Sequence, residues 1–257
     1  MGVGEVLVQL LAPLRSRPER SGVLTDFDGT LAPIVDDPAV AAPLDGVADV
    51  LGVLARRYAL VAVLSGRPMA FLEPRLPPSV LLCGLYGLEI RDDGCRRDHP
   101  SAGVWRRAVD DVEAVSRAYG PAGMEVEGKG LSLTLHYRTR PELAADVRRW
   151  AERQALRSGL VLRAAKMSFE LHPPLAVDKG TTVTEIATGL EAVCFLGDDI
   201  GDLRGFEALD DLADGGAHVV RVAVRSEEAP PALLARADSV VEGPLGALEV
   251  LQHLAAP

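Results

Sequence analysis

Apolar and polar positions along the chain alternate between two rhythms. Short, almost wholly apolar runs (Gly22-Val23-Leu24, Leu60-Val61-Ala62-Val63-Leu64 and Val80-Leu81-Leu82-Cys83) are separated by stretches whose apolar residues recur three and four apart. Runs of that length and composition read as strands buried on both faces. The intervening stretches read as helices. One covers about Val3 to Leu14, and a second covers Gly46 to Tyr58, where Val47, Val50, Leu51 and Leu54 share a face. Pro68 opens a third, because its missing N–H costs nothing at a helix start. Strand and helix in strict alternation predict a parallel α/β sheet.

Residues 87–175 follow a different pattern. Leu88-Glu89-Ile90-Arg91 and the Asp93-Gly94 turn predict an antiparallel hairpin. A helix over Ala102 to Tyr119 then leads to strands near Met124-Glu125-Val126-Glu127 and Leu131 to His136. A second helix, Glu142 to Arg157, leads to strands near Leu160-Val161-Leu162 and Ser168-Phe169-Glu170-Leu171. A helix-strand-strand unit used twice makes an α+β insert. The alternating pattern resumes at Asp178, with strands at Ala192 to Leu196, His218 to Val224 and Ser239-Val240-Val241, and a closing helix from Pro244 to Leu254. The expected organisation is a Rossmann-like α/β core, residues 1–86 and 176–257, interrupted by an inserted cap over 87–175.

Composition narrows the function classes. With 48% apolar residues the 257-residue chain can build a sizeable core. A formal charge of −10 argues against a nucleic-acid-binding surface. No apolar run is long enough to span a membrane, and the N-terminus lacks a signal-peptide layout. Cys83, Cys95 and Cys194 show neither metal-ligand spacing nor an even count. A soluble, reducing, cytoplasmic setting is expected, without nucleic-acid or membrane partners. The sequence carries no G-x-x-x-x-G-K-[ST] loop, no G-x-S-x-G elbow and no H-E-x-x-H pair.

Chemistry concentrates at the ends of the apolar runs. The first run enters Asp26-Phe27-Asp28-Gly29-Thr30, with two carboxylates one residue apart. Strand alternation would put both on one side, and the carboxyl end of a parallel strand opens onto the ligand crevice of such sheets. One carboxylate can attack phosphorus while the other manages the leaving-group proton. Both are also hard oxygen ligands for Mg²⁺. A pair of solvated acids in a Gly turn is the plainer reading of this motif taken alone. The second run ends at Ser65-Gly66-Arg67, where Ser65 suits either a phosphoryl oxygen or a helix N-cap, and Arg67 either substrate recognition or a salt bridge. The strand at 192–196 runs into Asp198, Asp199 and Asp202, three acids that a cation would offset.

In their order these pieces resemble the haloacid-dehalogenase-like phosphatases, with an aspartyl nucleophile in D-x-D-G-T, then Ser65, Lys179 in Asp178-Lys179-Gly180, and the acidic cluster at 198–202. The resemblance implies Asp26 as nucleophile, Asp28 as acid and base, and Ser65 and Lys179 on the phosphoryl group. Mg²⁺ would be held by Asp26, Asp198 and the backbone carbonyl of Asp28, with Asp199 and Asp202 orienting ligands from behind. Thr30 would orient Asp28 or meet the substrate.

The likeness sharpens along the chain. Asp26 through Pro38, Gly84-Leu85-Tyr86-Gly87-Leu88-Glu89, Glu127-Gly128-Lys129-Gly130-Leu131-Ser132, His136-Tyr137-Arg138 and Lys166 through Pro173 are similar to segments of trehalose-6-phosphate phosphatases. That resemblance implies a phosphorylated disaccharide as substrate, gripped by Glu89, Lys129, Lys166 and Glu170, and a functional link to a trehalose-6-phosphate synthase. The chain departs from the family pattern in carrying Tyr86 for His, His172 for Arg, and Gly201-Asp202-Leu203 in its last motif. Sucrose or glucosylglycerol phosphate is the alternative substrate within the same chemistry. A phosphotransferase, or a catalytically silent sugar-phosphate-binding domain, are the alternatives outside it.

Overall fold

A computed structural model describes residues 3–35, 37–165, 167–226 and 229–257. Two compact units emerge, Met1–Arg97 with Val177–Pro257, and Asp98–Ala176.

In the larger unit, among the described residues, a sheet runs in the order β12-β11-β10-β1-β2-β3-β4-β5. These strands are β1 (Ser21–Thr25), β2 (Leu60–Leu64), β3 (Leu81–Gly84), β4 (Glu89–Asp92), β5 (Cys95–Asp98), β10 (Ala192–Gly197), β11 (His218–Arg225) and β12 (Ser239–Glu242). All pairings from β12 through β3 are parallel, and β4 turns antiparallel on β3 through Cys83↔Ile90 and Gly84↔Glu89. The hairpin at 88–98 therefore extends the large sheet. Chain order leaves β1 toward β2 on one side, and the later strands add outward from β10 on the other. That makes the β1/β10 boundary the topological switch point, where open α/β sheets leave a crevice.

Strand alternation builds two apolar layers. Val23, Val61, Val63, Cys194 and Leu196 face one cluster, which packs on α1 (Glu5–Ser16), α2 (Val47–Ala55) and α9 (Gly243–Ala255). Leu24, Ala62, Leu64, Val193 and Phe195 face the other, beneath α6 (Lys179–Ala187), α7 (Asp202–Asp214) and α8 (Pro231–Arg236). Expected and observed elements agree to within a few residues for most strands. The helix opened by Pro68 is α3, Met69–Leu72, a single turn with Pro68 as its N-cap, and α7 and α8 lie where the sequence pattern had suggested no helix. Glu73 keeps helical angles and bonds back to the Met69 carbonyl, but Pro74 has no N–H with which to continue the ladder.

The smaller unit is an antiparallel sheet, β6-β7-β9-β8, made of β6 (Glu125–Gly128), β7 (Leu133–His136), β8 (Val161–Ala165) and β9 (Ser168–His172). Two amphipathic helices, α4 (Ala102–Tyr119) and α5 (Ala144–Ser158), pack on one face through Val109, Val112, Val147 and Ala151 against Leu133, Leu135 and Leu171. The other face carries the polar positions of the same strands. No described helix is long and apolar enough to cross a membrane. Cys83 and Cys194 are buried and burial pushes both thiols up, that of Cys83 to about 12, which leaves them unreactive packing.

Phe195 and Phe206 meet edge to face, 5.8 Å between centroids and both wholly buried, fastening α7 to β10. Phe206→Ala is expected to cost about 3–5 kcal/mol of stability by removing that ring. Urea unfolding followed by circular dichroism measures it; a loss below about 1 kcal/mol would mean that the site collapses to fill the void.

Candidate active site

Backbone pairing brings the acidic motifs together. Thr25 of β1 lies beside Leu196 of β10, and the Asp26 amide donates to the Leu196 carbonyl at 2.9 Å. Both strands then end, so Asp26 and Asp198 leave neighbouring strand ends side by side. The carboxylates of Asp26, Asp198 and Asp202 are all buried, with one oxygen of each within 4.8 Å of the others. Gly29 lets the loop close on this cluster. Its φ is +77°, and a Cβ there would lie 2.7 Å from Asp198 Oδ1 and nearer still to the rest of that carboxylate. Thr30 is also buried and donates to Asp198 Oδ1 at 3.3 Å, so its hydroxyl meets Asp198 rather than Asp28.

Among the described residues one cation sits among the acids. Lys179, 3% exposed, donates to Asp26 Oδ1 at 2.7 Å and to Asp202 Oδ1 at 2.6 Å. It is the first residue of α6, which Asp178 and Thr181 fix by a reciprocal capping box. Gly180 then allows α6 to approach α7, since a Cβ there would lie 2.6 Å from the Arg204 carbonyl. Burial works to lower the Lys179 pKa, but Asp202 and Asp26 outweigh it and hold the ammonium charged.

Asp202 is spent on structure. Its Oδ2 accepts from the amides of Asp198 (2.9 Å) and Asp199 (3.0 Å), while Oδ1 takes Lys179. This closes the turn after β10 and aims Asp198. Asp199, whose side chain is exposed, accepts from the amides of Gly201 and Asp202 and caps the start of α7.

The electrostatics leave a cation deficit. Among the described residues three buried carboxylates face one ammonium, so with all three ionised two negative charges are left. Burial raises the Asp26 pKa well above its ordinary value, against the pull of Lys179, and Asp198 and Asp199 raise it further. Burial and then Asp202 and Asp199 push Asp198 up to about 7. Hard oxygen donors carrying two uncompensated charges fit a divalent cation.

Asp28 stands apart from that cluster. Both of its oxygens accept from Arg67, Oδ2 from Nε at 2.8 Å and Oδ1 from NH2 at 2.6 Å. The sequence offered substrate recognition or a salt bridge for Arg67, and here it makes the bridge. Ser65, 1% exposed, accepts from the Arg67 amide at 3.1 Å and so shapes the turn after β2. Leu85 and Tyr86 both have positive φ, 48° and 63°. The Tyr86 amide donates to the Ser65 carbonyl, and its own carbonyl accepts from Thr182 of α6 at 2.6 Å, which ties that turn to the helix bearing Lys179. A non-glycine pair at positive φ is the kind of strain that gathers at functional sites.

The expected sugar-gripping residues do not share one unit. Glu89 lies in the larger unit, buried, accepting from the Met69 amide at 2.6 Å and from Arg96 at 2.9 Å, where it holds the start of α3. Hairpin pairing to β3 carries it there. Lys166 lies outside the described residues. Glu170 and Lys129 belong to the smaller unit: Glu170 is buried and accepts from Ser132 at 3.0 Å, and Lys129 lies 3.7 Å from Glu127. Glu127, which the sequence placed in a family-like segment without a role of its own, also contacts His136 Nε2 at 3.0 Å. Its position in the segment that also carries Lys129 was the available signal. Thr134, between Glu127 and Glu170 in register, is buried with its hydroxyl unpartnered.

Residues 24–238 match the family model described as trehalose-phosphatase. The trehalose-phosphate phosphatase of Mycobacterium ulcerans (strain Agy99) is 32% identical over 253 residues, covering 92% of this chain and 62% of the relative. The chain thus spans less than two thirds of that relative's length. The C-terminal domain of C. albicans trehalose-6-phosphate phosphatase superposes with a TM-score of 0.75 at 26% identity, over 96% of each chain. The C-terminal domain of a Candida albicans trehalose synthase regulatory protein has the same fold, with a TM-score of 0.67 at 15% identity over 97% of this chain and 98% of that one. The match over both units and both motif-bearing strands places the chain in the trehalose-phosphatase family.

Proposed function

We propose that this chain hydrolyses trehalose 6-phosphate to trehalose and phosphate through an aspartyl-phosphate intermediate. The carrying observation is the buried Asp26–Lys179 contact at the β1/β10 switch point, with Asp28 two residues further on. A regulatory domain of the same fold has no chemical need for that set.

In the first half-reaction an Asp26 oxygen attacks phosphorus, and the bond from phosphorus to the sugar oxygen breaks. That oxygen takes its proton from Asp28. In the second, Asp28 removes a proton from water, whose oxygen attacks phosphorus and releases phosphate and free Asp26. Lys179 offsets the Asp26 charge that would otherwise repel a phosphate dianion. The Ser65 hydroxyl donates to a phosphoryl oxygen. A divalent cation, Mg²⁺ by donor chemistry, would be held by Asp26, Asp198 and the Asp28 carbonyl and would neutralise charge on the phosphoryl oxygens. Lys129 and Glu170 supply charged hydrogen bonds to sugar hydroxyls. The substrate implies a functional link to a trehalose-6-phosphate synthase.

Phosphate release from trehalose 6-phosphate, glucose 6-phosphate and sucrose 6-phosphate, with and without Mg²⁺, tests this reading. Strong Mg²⁺-dependent preference for the trehalose ester is expected. Activity without that preference would retain the chemistry and discard the substrate, and no release from any ester would favour a silent domain. Asp26→Asn is expected to lower kcat by at least about four orders of magnitude while the circular dichroism spectrum is retained. Mg²⁺ at about a hundredfold its Kd should stabilise the protein by about 2.7 kcal/mol, read as a rise in Tm that EDTA reverses. Asp198→Asn should abolish that rise; an undiminished rise in this variant would place the cation elsewhere.

A further inference from the structure

Asp28 is held by Arg67, and Arg67 is itself held from behind. Its NH1 donates to the Pro38 carbonyl at 2.8 Å, and its guanidinium lies 4.3 Å from the centroid of the Phe71 ring. Arg75 lies 3.8 Å from the same centroid. From there Arg75 donates to the Ala41 carbonyl (3.0 Å), the Ala39 carbonyl (3.2 Å) and the Phe71 carbonyl (2.8 Å). The Phe71 ring also meets Phe27 edge to face, 5.8 Å and 88° apart, and Phe27 is the residue between the two aspartates. Phe71 lies on α3, whose Met69 and Leu72 are buried in the core while the Phe71 ring is turned toward the two arginines.

We propose that Phe71 is a positioning residue for Asp28, acting through Arg67. The proposal rests on Asp28 being the acid and base of the reaction. A guanidinium has a planar fork that matches a carboxylate only when the two planes are aligned. On the open side of Asp28, whose side chain is 31% exposed, a long arginine would otherwise sample many rotamers. The Phe71 face removes that freedom, because a cation is attracted to the ring face and packs flat on it. The Pro38 carbonyl fixes the remaining rotation. Arg75 in turn fixes the ring and the loop that supplies this carbonyl. Through Arg67, Phe71 therefore sets where the carboxylate of Asp28 stands relative to Asp26, two residues earlier. Leucine at position 71 would still pack against the apolar layer that the ring now partly joins, but would offer no face.

The test is a kinetic double-mutant cycle on the intact protein with Phe71→Leu, Phe71→Tyr, Asp28→Asn and the Phe71→Leu/Asp28→Asn pair. Trehalose 6-phosphate and p-nitrophenyl phosphate are both used, so that a wrong sugar assignment, seen as turnover of the aryl ester alone, remains separable from a wrong role for Phe71. Phe71→Leu is expected to lower kcat about fivefold to thirtyfold, the range of a cation–π contact expressed as a rate, with KM changed by less than about twofold. Phe71→Tyr, which keeps the face, should restore kcat. In the Asp28→Asn background Phe71→Leu should have no further effect, because its target is gone. An equal loss of kcat in that background, or a fall in Tm with kcat unchanged, would overturn the proposal and leave Phe71 as packing.

Discussion

Carboxylates cannot gather in a protein interior without compensation, and the architecture around the site follows from that constraint. Asp26, Asp198 and Asp202 lie buried together, with the buried Lys179 ammonium among them. Removing one partner of such a buried pair typically costs about 3–5 kcal/mol, because the survivor is left charged and unsolvated. The position of Lys179 is correspondingly over-determined. It opens a helix whose cap is reciprocal, and that helix comes within van der Waals range of α7 only because Gly180 has no side chain. Asp202 answers from the first turn of α7, so the two helix starts are joined through one ammonium.

The sheet supplies the other half of the arrangement. Parallel strands release their chains at the same edge, so pairing β1 with β10 delivers two acidic segments to one place although 172 positions separate Asp26 from Asp198. The apolar layers on the two faces make that pairing rigid, and Phe195 against Phe206 keeps α7 under the strand that carries Asp198. With all three acids ionised two negative charges remain after Lys179, and a divalent cation would offset them.

The two aspartates of the first motif illustrate how far the sequence could be read. Strand alternation predicted a shared side for Asp26 and Asp28, but β1 ends at Thr25 and the chain turns. Asp26 joins the buried cluster, whereas Asp28 is taken by Arg67, a residue 39 positions away. Glu89 is a second example. It lies in a segment whose pattern changes from core to insert, but hairpin pairing on β3 keeps it in the large sheet, where it serves the start of α3. In both cases a hydrogen bond between distant segments decided the outcome, and no local pattern encodes such a bond. Glu127 stood in a family-like segment without a role, because its contact with His136 depends on the register of β6 on β7.

By itself the sequence determined the strand and helix rhythm, the presence of an antiparallel insert, the order of the phosphatase motifs and the absence of rival catalytic patterns. These are short-range properties, fixed by burial period, turn chemistry and residue type within a few positions. Only the tertiary structure decided which carboxylates share a cation, that Asp202 aims Asp198 through backbone amides, that Arg67 grips Asp28, and that Phe71 stands behind it. Those outcomes depend on which strand ends and helix starts meet in space. That meeting is set by the summed packing of two apolar layers, a property of the whole chain rather than of any motif within it.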